Sequence, residues 1–341
     1  MSGIREALER LASGRDLSAD LAAEVMKDLL NGDVAPSQVG ALLFGLRVKG
    51  ETAEEIVGFA KVLRGYCNAI PAPAGTVDIV GTGGDGAGTF NISTTAAFVV
   101  AGAGVPVAKH GNRFASGRCG SADVLEQLGV PINLAPEESA NNLTDIGMAF
   151  LFAPLYHPAM GKVAGHRREL GVRTIFNLLG PLLNPVGSPY QLLGVSSPVI
   201  LSKIAQALNI LGTERAIVVV GEDGLDEVTL TGKTKAILVE NGTLTSFEIK
   251  PEEYGFQRCS LADLKGNGPA ENARYTLGIL QGEQGPKRDI VLLNAGVALF
   301  AANRAAGIAD GIDMARESID SGRALVKLEA LQNRTSQMMA R

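Results

Sequence analysis

Hydrophobic positions recur at helical spacing through the N-terminal part of the chain. Ile56, Phe59, Ala60 and Leu63 lie three or four residues apart, so their side chains line one face of a helix. An N-cap, a first-turn proline and a capping box mark further helix starts, at Ser18, Pro36 and Thr52 with Glu55. Residues 1–72 are therefore predicted to form a small helical domain.

After the proline-rich stretch Pro71–Gly75, short apolar runs alternate with helical segments. This alternation is typical of an α/β domain with a mostly parallel central sheet, predicted over residues 73–341. Asn241-Gly242 inside Ala236–Glu248 predicts a hairpin, Val291–Phe300 a buried helix and Met314–Leu331 an amphipathic one. The predicted parallel strands are Thr76–Val80, Val105–Lys109, Met148–Phe152, Leu192–Val195 and Ala216–Val220.

Composition and charge narrow the class of protein. The 341 residues are 46% hydrophobic and 20% charged, as in a folded globular protein, and the net charge of −5 offers no basic face for nucleic acid. The three cysteines, Cys67, Cys119 and Cys259, show no metal-binding spacing and no disulfide framework. The N-terminus lacks the apolar core of a secretory signal. We expect a cytoplasmic protein with no membrane partner.

A glycine-rich segment at 78–95 is the most informative stretch. Glycines 81, 83, 84, 86 and 88 lie between a predicted strand and a predicted helix, where backbone N–H groups and the helix N-terminus attract phosphate. The alternatives are a simple connecting turn and two nucleotide motifs. A dinucleotide fold needs an acidic residue after the next strand, where this chain has Lys109, and a Walker loop needs Gly-Lys, where it has Gly88-Thr89.

Two further segments follow predicted strands, at the carboxyl end of the sheet where ligands collect. The cations of Lys109–Arg113 precede the helix start at Ser121, so two anion-binding loops predict a diphosphorylated substrate. Asp226 and Glu227 follow the last parallel strand, and adjacent carboxylates suit Mg²⁺ bound to substrate phosphates. An acidic surface loop remains an equal alternative for this pair.

Paired arginines mark the segment that begins at His157. Arg167, Arg168 and Arg173 follow a helix predicted to start near Pro158, and they could bind a carboxylate or a phosphate, although each alone is more often a surface charge. The three histidines have no metal-ligand spacing, and no Ser/His/Asp or Cys/His arrangement is visible. Covalent catalysis has no support in the sequence.

Five motifs together resemble the anthranilate phosphoribosyltransferase family over nearly the whole chain: GTGGD at 81–85, NIST at 91–94, KHGNR at 109–113, CGSADVLE at 119–126 and RRELGVRTIFNLLGPLLNP at 167–185. The resemblance implies a fold of the nucleoside phosphorylase/phosphoribosyltransferase type. It also implies a homodimer through the helical domain, which a segment near 165–185 joins. The expected cofactor is Mg²⁺, with two ions per monomer.

By this resemblance the chain transfers the phosphoribosyl group of phosphoribosyl pyrophosphate (PRPP) to anthranilate, the second step of tryptophan biosynthesis from chorismate. The matching motifs imply Lys109, Asn112 and Arg167 as catalytic residues, and Ser93, Asp226 and Glu227 as metal ligands. The implied anthranilate residues are Gly81, His110, Asn112, His157 and Arg167. The implied PRPP residues are Gly81, Gly84, Asp85, Thr89, Asn91, Ser93, Thr94, Lys109 and Ser121.

Two positions depart from the family pattern, Gly117-Arg118 in the second loop and His166 before the arginine pair. Two other functions stay open. A pyrimidine nucleoside phosphorylase would use a related cleft for free phosphate, and a non-catalytic relative would bind nucleic acid. The intact glycine loop and carboxylate pair favour the transferase over both.

Overall fold

The computed structural model describes residues 3–113 and 119–339, with side chains described to Arg334 in the last helix. Gly117-Arg118 lies outside the described residues. The N-terminal part contains the helices α1 (Gly3–Ala12), α2 (Ala19–Asn31), α3 (Pro36–Lys49) and α4 (Ala53–Gly65). The starts of α2, α3 and α4 are those that the sequence predicts: the Ser18 hydroxyl accepts from Leu21 N at 3.2 Å, Pro36 lies in the first turn of α3, and Thr52 with Glu55 forms the capping box.

A seven-stranded sheet forms the centre of the second part, in the order β3-β2-β1-β4-β5-β6-β7. The first five strands are parallel, and β6 and β7 form the antiparallel hairpin predicted around Asn241-Gly242, where both residues have positive φ. The strands are β1 (Val77–Gly81), β2 (Val107–Gly111), β3 (Met148–Phe152), β4 (Tyr190–Gly194), β5 (Arg215–Gly221), β6 (Thr234–Glu240) and β7 (Thr243–Ile249). Each predicted strand is thus found within two residues of its predicted start.

The helices of this second part are α5 (Ile92–Gly102), α6 (Ser121–Gln127), α7 (Pro136–Asp145), α8 (Ala153–Tyr156), α9 (Gly161–Leu170), α10 (Phe176–Leu179), α11 (Pro198–Ile210), α12 (Pro269–Leu280), α13 (Pro286–Ala301), α14 (Ile308–Asp320) and α15 (Arg323–Met339). The prediction of one amphipathic helix over Met314–Leu331 is wrong. Gly322 has φ 76° and ends α14, because only glycine adopts that conformation without strain. The helix predicted near Pro158 begins as a 3₁₀ turn before α9.

Two hydrophobic cores lie on opposite faces of the sheet. Alternation along β5 places Ile217 and Val219 in the core with α5 and α13, and Val218 and Val220 in the core with α4 and α11. The second core continues into the N-terminal helices and includes residues from Val163 to Leu183. Phe176 of α10, for example, packs edge-on against Phe59 of α4 with ring centroids 6.2 Å apart. The helical layer and the segment at 163–183 thereby share one core.

Within the described ranges, no helix combines the length and the apolar composition needed to cross a bilayer.

Candidate active site

Glycines end four neighbouring parallel strands at the same edge of the sheet. Gly81 of β1 is in register with Gly194 of β4, and Asp226 lies against both. A Cβ atom added to Gly81 would overlap the Asp226 carboxylate, and one added to Gly194 would overlap the Asp226 carbonyl oxygen. These strand ends therefore carry no side chains because Asp226 occupies the space.

The glycine loop after β1 closes onto the same aspartate. The N–H of Gly83 donates to Asp226 Oδ2 at 2.6 Å, and the N–H of Thr82 donates to the Gly194 carbonyl at 2.9 Å. Gly83, Gly84, Gly86 and Gly88 all have φ between 64° and 77°, the left-handed region in which other residues are strained. The loop conformation, and not only the close approach of a ligand, requires these glycines.

Asp226 and Glu227 join the glycine loop to the start of α5. The N–H of Ser93 donates to Glu227 Oε1 at 3.2 Å. Burial, together with the nearby Asp85 carboxylate, raises the pKa of Asp226 to about 7, and burial with the adjacent Asp226 charge raises the pKa of Glu227 to about 8. Three carboxylates therefore lie close together and would be stabilised by a cation.

Lys109 is the buried cation next to this acidic cluster. Its Nζ donates to the Ile79 carbonyl at 2.7 Å and to Ser93 Oγ at 3.2 Å. Burial lowers the pKa of Lys109, and the negative charges of Asp78 and Glu227 oppose that change. Asp78 itself is fully buried in β1 and its pKa is raised by burial to about 6. The ammonium group thus lies beside the hydroxyl at the N-terminus of α5.

Asn91, just before α5, is held by residues distant in sequence. Asn272 of α12 donates from Nδ2 to Asn91 Oδ1 at 2.9 Å, and the Cys119 thiol donates to the same oxygen at 3.4 Å. Because Oδ1 is occupied, the Asn91 amide presents its NH₂ group, which donates to the Cys119 carbonyl at 3.4 Å. Sequence reasoning missed Asn272, since it is 181 residues from Asn91 and has no motif around it.

The second loop is tied to α6. Ser121 Oγ and the N–H of Ala122 donate to the Asn112 carbonyl at 3.2 Å and 3.3 Å. Asn112 is exposed, and its Oδ1 accepts from the N–H of Arg113 at 2.7 Å. The Arg113 guanidinium forms ion pairs with Asp123 and Glu126 of α6, so this cation anchors the loop.

His110 and His157 lie together, with ring centroids 5.1 Å apart. Each hydrogen-bonds to a backbone group, of Gly180 and Leu183 respectively, and each has a buried Nε2 to which the residues that the structure describes offer no hydrogen-bond partner. Burial lowers the pKa of His110 to about 3 and that of His157 to about 4, so both rings are neutral near pH 7.

Arg167 lies on α9 beside Phe176. Its guanidinium is 5.2 Å from the centre of the Phe176 ring, a cation–π contact. Of the residues predicted for the phosphates and the metal, the structure brings together Ser93, Lys109, Asp226 and Glu227. Of those predicted for anthranilate, it brings together His110 and His157.

Arg173, which the sequence offers only as one of several arginines, reaches the glycine loop. Its Nη2 donates to the Thr82 carbonyl at 3.2 Å, and Asp226 and Asp85 attract its charge. The link is not visible in sequence because 91 residues separate Arg173 from Thr82.

The donors fit Mg²⁺ only in an open arrangement. In the described part of the chain, no group of three or more His, Cys, Asp or Glu side chains could enclose a metal ion. Asp226 and Glu227 with the Ser93 hydroxyl are a partial oxygen set, which suits a cation that completes its shell with water and substrate phosphates.

Family models match both parts of the chain. Residues 74–325 match the a/b domain of a glycosyl transferase family, and residues 5–67 match the helical bundle domain of that family. With the mostly parallel sheet and the glycine-lined strand ends, this places the chain among the glycosyl transferases.

Relatives specify the class further. A protein of Desulfitobacterium hafniense (strain Y51) named anthranilate phosphoribosyltransferase is 66% identical over 328 residues, which are 96% of this chain and 98% of the relative. The crystal structure of anthranilate phosphoribosyltransferase from Thermus thermophilus is 44% identical, with a TM-score of 0.91, and covers 98% of this chain and 99% of its own. The chain belongs to the anthranilate phosphoribosyltransferase family.

A more distant relative has been solved with ligands. Anthranilate phosphoribosyltransferase from Saccharomyces cerevisiae is 31% identical, with a TM-score of 0.88 and 98% coverage of both chains, in a complex with PRPP and Mg and in another with 4-fluoroanthranilate.

Proposed function

We propose that this chain transfers the phosphoribosyl group of PRPP to anthranilate, giving N-(5-phosphoribosyl)anthranilate and pyrophosphate in the second step of tryptophan biosynthesis. In the reaction the bond from ribose C1 to the diphosphate oxygen breaks, a bond from C1 to the anthranilate nitrogen forms, and the nitrogen releases a proton. The observation that carries the proposal is Asp226, held between the glycine loop and the glycine ends of β1 and β4. Membership of the anthranilate phosphoribosyltransferase family supports transfer at this site.

The proposed PRPP site is centred on the N-terminus of α5. Its first-turn N–H groups and positive dipole end favour the substrate phosphates, and the Lys109 ammonium beside Ser93 adds charge. Asn272 occupies Oδ1 of Asn91, so Asn91 would contribute its NH₂ group, which has a second hydrogen besides the one given to the Cys119 carbonyl. The full proposed set is Gly81, Gly84, Asp85, Thr89, Asn91, Ser93, Thr94, Lys109 and Ser121.

Ser93, Asp226 and Glu227 would hold Mg²⁺, which when bound neutralises charge on the leaving diphosphate. We propose two ions per monomer. Asp226 contacts the N–H of Gly83 in the loop whereas Glu227 contacts the N–H of Ser93 on α5, so the two carboxylates face different parts of the site.

Anthranilate would bind beside His110 and His157, with Gly81, Asn112 and Arg167 completing its site. Lys109, Asn112 and Arg167 are the proposed catalytic residues. Arg167 would leave Phe176 to pair with the anthranilate carboxylate, the anion that a guanidinium binds best through two donors. The aromatic amine is neutral near pH 7, so its attack needs positioning and no essential side-chain base.

At the level of the whole chain, we propose a cytoplasmic homodimer whose interface is formed by the helical domain, residues 1–72, with residues 73–341 as the catalytic domain. Phe44 and Val48, one turn apart on α3, support this interface because they are 53% and 70% exposed although apolar.

The test follows the loss of anthranilate fluorescence when purified protein is mixed with anthranilate, PRPP and Mg²⁺. Loss is expected only with all three, and an Asp226→Asn/Glu227→Gln variant is expected to lose most of it. Glu222→Gln changes an exposed acid in the same loop and controls for charge. No loss of fluorescence with wild-type protein under any metal condition would sink the proposal, and phosphate-dependent release of a base from pyrimidine nucleosides would favour a phosphorylase instead.

A further inference from the structure

Arg173 connects two parts of the molecule that meet at the site. It lies between α9 and α10, in the segment whose apolar side chains pack with the N-terminal helices. Its side chain extends in the other direction, to the glycine loop, where Nη2 donates to the Thr82 carbonyl at 3.2 Å. The Arg173 guanidinium therefore belongs to the segment that packs with the N-terminal helices, but it contacts the glycine loop of the α/β part.

The guanidinium occupies the space above Gly84. A Cβ atom built on Gly84 would overlap Arg173 Nη1, so the planar group lies directly against the backbone of the loop. Gly84 also has φ 77°, a conformation that other residues adopt only with strain. A cation thus covers a loop whose glycines and N–H groups suit an anion.

The charges around Arg173 explain this placement in the absence of substrate. Asp226 and Asp85 attract the guanidinium, and Arg47 on α3 repels it. Asp226 also accepts the N–H of Gly83, a donor that would otherwise face a phosphate. Asp226 thus accepts a hydrogen bond from the backbone of the glycine loop, and the positive charge of Arg173 balances its negative charge.

We propose that Arg173 is a ligand of the diphosphate group of PRPP, exchanging the Thr82 carbonyl and the attraction of Asp226 for diphosphate oxygens when substrate binds. This rests on the proposed function. Asp226, no longer facing the guanidinium, would be one of the residues that hold Mg²⁺, whose charge would balance its own. A guanidinium suits the role because its planar donors bind two oxygens at once, as an ammonium cannot.

The test measures the KM for PRPP, the KM for anthranilate and the Kd of inorganic pyrophosphate with Mg²⁺ for Arg173→Gln and Arg173→Lys. Loss of a charge-assisted pair predicts that the Gln variant raises the KM for PRPP and the Kd of pyrophosphate about 10- to 100-fold. The Lys variant should lie between it and wild type, with the KM for anthranilate and the Tm unchanged in both. Arg168→Gln, an exposed arginine of the same segment, is the matched control and should change none of these values.

Unchanged pyrophosphate affinity in both Arg173 variants would overturn the inference. A rise in both KM values together with a lower Tm would also overturn it, because that pattern indicates that Arg173 has a structural role and links the segment between α9 and α10 to the glycine loop. A wild-type protein without transferase activity would defeat the proposed function, but the pyrophosphate titration would still decide the role of Arg173. No pyrophosphate binding by wild type would defeat this inference as well.

Discussion

At the scale of single residues, the geometry of the site depends on glycines, which have no side chain, as well as on the functional side chains. Gly194 carries no motif, yet its missing Cβ makes room for the Asp226 backbone, which in turn places the Asp226 carboxylate against the N–H of Gly83. Any other residue at position 194 would place a Cβ atom against the Asp226 backbone and displace Asp226. Close approach of backbone to backbone is a reason for glycine that turn chemistry does not reveal.

The Gly194→Ala variant should therefore lose activity through the metal site. We expect the Mg²⁺ concentration for half-maximal activity to rise and kcat/KM to fall at least about 10-fold, equivalent to ~1.4 kcal/mol. Steady-state assays across a Mg²⁺ titration measure both. Gly65→Ala, at an exposed glycine with open space around it, is the control and should match wild type. Equal Mg²⁺ dependence in both variants would show that Asp226 tolerates displacement.

The neutral histidine pair predicts acid sensitivity. Because the pKa values of His110 and His157 are lowered in the folded state, unfolding takes up protons once pH falls below about 6.5. Their contribution to stability is fully present above that pH and is lost as pH falls toward the folded values of about 4 for His157 and about 3 for His110. The loss is ~1.4 kcal/mol per pH unit for each histidine at most.

Urea unfolding of wild type and His157→Gln at pH 8, 6 and 4.5 checks this expectation. The variant should lose less unfolding free energy than wild type between pH 6 and 4.5. Identical slopes would mean that His157 is not the group that titrates.

Sequence reasoning at this scale reached the residues that stand in motifs. Lys109, Ser93, Asp226 and Glu227 were predicted to meet because each follows a parallel strand or begins a helix after one, and the structure brings them together. The sequence offers Arg173 as a possible ligand of a carboxylate or a phosphate, but not its contact with the glycine loop, which crosses 91 residues. It does not single out Asn272 or Gly194, because the contact of Asn272 crosses 181 residues and the role of Gly194 depends on an absent Cβ atom.

At the scale of elements, one buried carboxylate organises the N-terminal helices. Glu55 completes its capping box by accepting from the N–H of Thr52 at 2.8 Å, and it also accepts from the N–H of Leu17 at 2.8 Å and from Lys49 Nζ at 3.1 Å. It is fully buried, so these hydrogen bonds compensate for its lost hydration. The start of α4 is thereby linked to the end of α3 and to the segment before α2.

The Glu55→Ala variant should lose far more unfolding free energy than the loss of a helix cap alone would cause. Removing Glu55 leaves two N–H groups without their acceptor and takes from Lys49 the buried one of its two carboxylate partners, the other being the exposed Asp16. We expect a loss of ~3–5 kcal/mol in unfolding free energy. Glu54→Ala, at the exposed neighbour in the same first turn, should stay within ~0.5 kcal/mol of wild type. Urea unfolding followed by circular dichroism compares the two, and similar losses would contradict the central role of Glu55.

Element type was predictable where periodicity was strong, and element ends were not. The parallel strands are apolar on both faces and were found within two residues of their predicted starts. The break at Gly322 is not predicted because apolar residues recur on both sides of it: α14 buries Ile312 and Ile319 in the same core in which α15 buries Leu328 and Leu331. A periodic pattern indicates which face of a segment is buried, but it does not indicate whether a helix is interrupted within that segment.

At the scale of the whole molecule, the order of strands creates the site. The sequence predicts parallel strands but not that β1 lies between β2 and β4, which brings the loops after residues 81, 111 and 194 together. The residue pattern alone does not predict that the helical layer shares a core with residues 163–183, because that packing depends on shape between distant segments; the family resemblance implies that a segment near 165–185 joins the helical domain. Through this shared core the helical layer positions Arg173, whose guanidinium contacts Thr82 in the α/β part.

The proposed dimer is the remaining level of organisation. Phe44 and Val48 expose one apolar face of α3, and replacing both with aspartate would place two negative charges within the proposed interface. We expect the double variant to sediment as a monomer at concentrations where wild type is a dimer. A Val326→Asp variant, at a 57% exposed position on α15, should remain a dimer. Analytical ultracentrifugation decides the matter, and an unchanged sedimentation coefficient in the double variant would place the interface elsewhere.

Because Asp226, Glu227 and Lys109 lie within one chain, the monomer should retain pyrophosphate binding.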